Sequence, residues 1–63
     1  MPIVRIEMLS GRTQAQKAEM ARVITEAVVT IAQTTPEAVT IVFDDVPREN
    51  WARGGYLVST EPK

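Results

Sequence analysis

Met1-Pro2-Ile3-Val4-Arg5-Ile6-Glu7-Met8 opens the chain, and from Ile3 onward its side chains alternate. Val4, Ile6 and Met8 fall on one side and Ile3, Arg5 and Glu7 on the other, the period of two that marks a half-buried strand. A proline at the head of such a strand gives up an N–H that the edge does not need. Pro2 has a second reading. The small proline permits removal of Met1, and the chain then begins with a free prolyl amine. Neutral, that secondary amine is a base and a nucleophile; protonated, it is an acid. With no His and no Cys, the chain holds no equally good reactive group.

Outward from this strand, Leu9-Ser10-Gly11-Arg12 forms a stop, and Thr13-Gln14-Ala15-Gln16 fits a capping box with Thr13 as N-cap. The spacing predicts a helix from Gln14 to Gln33. Its apolar stripe is Met20, Ala21, Ile24, Ala27, Val28 and Ile31, at steps of three and four. Val23 and Val29 fall off that stripe, either by chance or as a second contact surface. Pro36 disfavours helix at Thr35 and ends the run, with room for a short turn of its own. Val39-Thr40-Ile41-Val42-Phe43-Asp44 is rich in β-branched residues and reads as a second strand. Val39, Ile41 and Phe43 share one face; Thr40, Val42 and Asp44 share the other.

Strand, helix, strand makes an α/β chain built as one βαβ unit, with parallel strands and a right-handed crossover. Two strands do not make a stable sheet, so a further subunit is expected to complete it. The remainder is a partly ordered tail. Val46 to Trp51 reads as a loop or helical turn, Arg53-Gly54-Gly55 as a turn, Tyr56 to Ser59 as a short strand, and Thr60 to Lys63 as a frayed end.

The bulk numbers point the same way. Sixty-three residues make a single domain, 1–63, too small to bury a large core without staples or partners. Without Cys there is no disulfide, and without Cys or His a zinc site has no usual ligands, which leaves oligomerisation. Seven basic against eight acidic residues argue against nucleic acid as a partner. The apolar runs are too short for a membrane span, and no signal peptide is legible, so a cytoplasmic protein is expected.

Few residues carry chemistry. Pro2 supplies the amine. Arg12, Arg48 and Arg53 stand at loop positions, where a guanidinium suits paired hydrogen bonds to a carboxylate; the alternative is solvated surface charge. Trp51 is the one tryptophan, either an anchor between subunits or an apolar wall for a site. Asp44 and Asp45 are adjacent on a strand and point to opposite faces, so no metal is expected there.

Pro2, Ile6, Leu9, Gly11-Arg12-Thr13, Gln16-Lys17, a β-rich second strand, Trp51 and Gly54-Gly55 together resemble the 4-oxalocrotonate tautomerase family over essentially the whole chain. The resemblance implies a βαβ subunit with a short C-terminal hairpin, paired into a four-stranded sheet in the dimer. It further implies a homohexamer built as a trimer of dimers, no cofactor, and a place in aromatic catabolism. In function it implies a cofactor-independent isomerase for enol and keto forms of 2-hydroxydienoates or related 2-oxo acids. Pro2 would be general base and acid, Arg12 would bind a substrate carboxylate from a neighbouring subunit, and Trp51 would make the site apolar. Where the family pattern has a second arginine, early in the second strand, this chain has Thr40. Arg48 or Arg53 is the candidate replacement. Two other readings stay open: a hydratase or dehalogenase of unsaturated acids using protonated Pro2 with Glu7, Asp44 or Glu49 activating water, and a non-catalytic oligomeric βαβ module.

Overall fold

The computed structural model describes residues 2–60. Met1, whose removal the sequence leads one to expect, and residues 61–63 of the tail expected to fray lie outside them. The elements run β1 (Ile3–Leu9), α1 (Gln14–Ala32), β2 (Thr40–Val46), β3 (Ala52–Arg53) and β4 (Tyr56–Leu57). Three short 3-10 turns, Pro36–Ala38, Arg48–Asn50 and Val58–Thr60, complete the order.

β1 and β2 pair in parallel, with Ile3 opposite Thr40, Ile6 opposite Phe43 and Leu9 opposite Val46. Backbone bonds close both ends of the ladder. Thr40 N–H donates to the Pro2 carbonyl at 3.0 Å, and Ser10 N–H donates to the Val46 carbonyl at 3.0 Å. The second strand therefore runs past the expected Asp44, because β1 continues through Leu9 and offers Asp45 and Val46 partners.

The capping box forms as its residues require. Gln16 N–H donates to Thr13 Oγ1 at 3.1 Å, and Thr13 N–H donates to Gln16 Oε1 at 2.9 Å. At the other end Gln33, expected inside the helix, is its cap instead, in the left-handed region at φ 57°. The backbone N–H groups of Gln33 and Thr34 both donate to the Val29 carbonyl. Lys17, Met20, Ala21, Ile24, Thr25, Val28 and Val29 are half-buried, as are Val4, Ile6, Met8, Ile41 and Phe43 on one face of the sheet. These two sets form the core. Two residues of the expected stripe are not in it: Ala27 is exposed, and Ile31 is 82% exposed, while Val29 joins the covered side. A helix is about 10 Å across, whereas two strands lie only about 4.8 Å apart. The sheet covers a narrow arc of the helix, so the stripe overhangs it.

Lys17 forms an ion pair with Asp45 on the helix side of the sheet, while Asp44, its chain neighbour, is exposed on the opposite face. On the wet side of α1, Arg22 bonds Glu19 at 2.6 Å and Glu26 at 2.9 Å. The hydrogen bond from Arg22, followed by its charge, holds the Glu19 carboxyl below its ordinary range.

Beyond β2 the chain leaves the main sheet. β3 and β4 pair antiparallel through Gly54 and Gly55, both at positive φ (61° and 90°), the backbone that a two-residue hairpin turn needs. The strand expected over Tyr56 to Ser59 stops at Leu57, since β3 is only two residues long. Val58 is drawn elsewhere: its N–H donates to the Trp51 carbonyl at 2.8 Å, and its carbonyl accepts from Arg48 Nη2 at 3.1 Å. Val58 begins a 3-10 turn that runs on to Thr60, a residue expected to fray. At 8% exposure, Val58 is the most deeply covered hydrophobic among the described residues. None of the described helices is long and apolar enough to cross a membrane.

Candidate active site

Pro2 is half-buried at the start of the sheet, and its carbonyl holds the Thr40 N–H. The parallel register makes this contact unavoidable: both strands begin at the same end, so the residue before β1 meets the first residue of β2. Thr40 is exposed beside it. Pro2 and Thr40 are thus brought together.

The other candidates lie at the far end. Arg12 follows the C-terminal end of β1, between Gly11 at φ 130° and the Thr13 cap, and has no ion-pair partner among the described residues. Seven strand residues separate it from Pro2, a span of about 20 Å. Arg48, Trp51 and Arg53 all follow β2 and so leave the sheet from that same far end. Arg53 is exposed on β3 opposite Tyr56, and Trp51 is half-buried with its carbonyl bound to Val58. Arg48 is committed to the Val58 carbonyl. That bond spans ten residues of tail without periodicity, and no spacing in the sequence signals it. Within one copy, then, the amine and the arginines do not meet.

The acids considered for water activation are placed as follows. Glu7 and Asp44 stand opposite each other on the exposed face, well along the sheet from Pro2, and Glu49 lies in the turn Arg48–Asn50. An open groove of about 660 Å³ lies on the flank of α1, lined by Ala18, Ala21, Arg22, Thr25, Val29 and Pro36 among others. It includes none of the candidate residues.

The βαβ unit with its short C-terminal hairpin is a fold that this chain shares with solved 4-oxalocrotonate tautomerase homologues. A family model described as tautomerase enzyme matches residues 2–61, and the chain belongs to that family, whose members are isomerases. A curated relative from Ralstonia nicotianae named "Probable tautomerase" is 34% identical over 62 residues, covering 98% of this chain and 95% of its own. A crystal structure of a 4-oxalocrotonate tautomerase homologue superposes with a TM-score of 0.94 at 30% identity, covering all of both chains. A heterohexamer 4-oxalocrotonate tautomerase from Chloroflexus aurantiacus gives a TM-score of 0.88 at 33% identity, covering 95% of this chain and 97% of that one.

Proposed function

We propose that this chain, as a single unit over residues 1–63, interconverts the enol and keto forms of 2-hydroxydienoates or related 2-oxo acids, with Pro2 as general base and acid. The observation that carries the reading is the place of Pro2: half-buried, at the open end of the sheet, with its carbonyl pinned by Thr40. In the forward step the neutral amine takes the enol proton, and the electron pair moves along the conjugated system. The protonated amine then returns a proton to a remote carbon. Atoms and charge balance without a cofactor. A base works best with its pKa near the working pH. A free prolyl amine is more basic than that, and both partial burial and a nearby guanidinium lower an amine's pKa.

Arg12 binds a substrate carboxylate. The strand length that separates it from Pro2 supports its delivery by a neighbouring copy, and hence a homo-oligomeric enzyme. Hexameric assembly is the form that the Chloroflexus aurantiacus relative takes. Trp51 supplies apolar wall in such an assembly. Thr40 offers only a hydroxyl beside the amine, so acids with one carboxylate suit the site better than dicarboxylates. Of the two candidate replacements, Arg53 has the free guanidinium, because Arg48 already holds Val58.

The test is ketonisation of phenylenolpyruvate, a monocarboxylate, and 2-hydroxymuconate, a dicarboxylate. The wild type is expected to accelerate both, with the monocarboxylate favoured in kcat/KM. Pro2→Ala is expected to lose about 10²-fold, the usual worth of a positioned general base. Wild-type rates equal to buffer would remove the assignment for these acids. Intact mass adds an independent check, since retention of Met1 would block the amine.

A further inference from the structure

Residues 52–57 hang from the main fold as the hairpin of β3 and β4. Each of its strands is two residues long, and a two-stranded hairpin is marginal in water even at greater length. What holds it lies at its base. Val58 N–H donates to the Trp51 carbonyl at 2.8 Å, Trp51 N–H donates to the Arg48 carbonyl at 3.3 Å, and Arg48 Nη2 donates to the Val58 carbonyl at 3.1 Å. These bonds close a ring, from Arg48 to Trp51 to Val58 and back to Arg48. Both backbone groups of Trp51 and both of Val58 are spent inside it. Arg48 enters the ring twice, once through its carbonyl and once through its guanidinium. The guanidinium makes the one link in the ring that a side-chain substitution can remove.

Trp51 is the residue that this ring fixes. Its backbone is extended, at φ −121° and ψ 120°, and Pro47 starts the turn before it with a φ of −66° that its own ring sets. Across the ring stands Val58, which is buried. An indole presents a defined apolar surface only where the backbone that carries it holds one position. We propose that Arg48 is a positioning residue: by holding the Val58 carbonyl it closes the ring that aims Trp51, and through Trp51 it favours acids whose far end is apolar. Arg48 bonds Val58 through a single guanidinium nitrogen and has no ion-pair partner among the described residues. The link therefore asks for a donor at that reach and not for the planar fork that sets arginine apart from lysine.

The selection of substrate rests on the function proposed above; the positioning of Trp51 does not. Trp51 is the one tryptophan of the chain, so indole emission reports on its surroundings without background. Arg48→Met keeps an aliphatic stem and loses the donor, whereas Arg48→Lys keeps a donor. Emission of R48M is expected to shift to the red, because an opened ring lets water reach the indole, and emission of R48K is expected to match wild type. R48M emission equal to that of wild type, or R48K displaced as far as R48M, overturns the positioning.

For the selection, the quantity to measure is the ratio of kcat/KM for phenylenolpyruvate, which ends in a ring, to that for 2-hydroxymuconate, which ends in a carboxylate. Any loss of folded enzyme cancels in this ratio, so a merely structural role leaves it unchanged. R48M is expected to lower the ratio about two- to tenfold, the worth of one aromatic pair, and R48K to restore it. Once Trp51→Ala is in place, R48M is expected to lower the ratio no further, since the arginine acts through the indole. A ratio unchanged in R48M, or lowered equally with and without Trp51, overturns the selection. Should R48M fail to fold, R48K carries both readouts, and a red shift or a lowered ratio in that variant overturns the proposal. A wild type that turns over neither acid removes the proposed function, and emission then decides the positioning by itself.

Discussion

Arg48 shows how a residue's chemistry and its employment differ. As a guanidinium in a loop it invites a carboxylate, yet in the fold its Nη2 sits 3.1 Å from the Val58 carbonyl and ties the hairpin to the turn Arg48–Asn50. Removing it leaves the carbonyl of Val58, a buried residue, without its donor. Arg48→Ala is expected to cost about 1 kcal/mol of stability, as for a typical intramolecular hydrogen bond, and to speed hydrogen exchange at the Val58 amide. If Arg48 instead holds substrate, the variant would raise KM and leave exchange at Val58 unchanged. Pro2 and Thr40 are the opposite case. Their meeting was legible once the strands read as parallel, because strand starts then share an end. The Arg48 bond was not legible, since it joins two irregular segments whose approach depends on the whole tail.

At the scale of elements, the regular parts were legible because each carries a local code: alternation for β1, the Thr13–Gln16 box for the start of α1, β-branched residues for β2. The ends of the elements were less so. Whether β2 stops at Asp44 or Val46 depends on how far β1 runs beside it, a tertiary fact. The helix end turns on Gln33, which takes the left-handed conformation at φ 57° without the glycine that usually occupies it. A left-handed backbone costs a residue with a Cβ roughly 1–2 kcal/mol, part of which glycine returns through its looser unfolded chain. Gln33→Gly is therefore expected to stabilise the protein by about 0.5–1 kcal/mol, read as a higher denaturant midpoint with an unchanged slope. A lower midpoint would mean that the Gln33 side chain has work elsewhere. The overhang of Ala27 and Ile31 beyond the sheet has the same origin as the strand ends: periodicity gives the apolar arc of a helix, but not the width of what lies beneath it.

For the whole molecule, one copy is an incomplete object. Its radius of gyration is 15.0 Å, against about 11 Å for a compact chain of this length. Val23, Ile31, Ile3, Tyr56 and Leu57 stay exposed, and among the described hydrophobics only Val58 is buried, at 8% exposure. A core of half-buried side chains offsets little of the roughly 1.5 kcal/mol per residue that ordering costs, so folding and association are expected to be one process. In that case stability depends on protein concentration by mass action. For a folded dimer of unfolded-alone chains, tenfold dilution removes about 0.7 kcal/mol per chain, half of the 1.4 kcal/mol per tenfold. A larger assembly loses more, approaching the full amount. At about 4–8 °C per kcal/mol for a domain of this size, Tm is expected to fall by about 3–6 °C for each tenfold dilution of a dimer, and by up to about 11 °C for a larger assembly, at fixed pH and salt. A Tm that holds constant across a hundredfold range of concentration would show that the single copy is stable alone. The exposed apolar residues would then need an explanation other than a second chain.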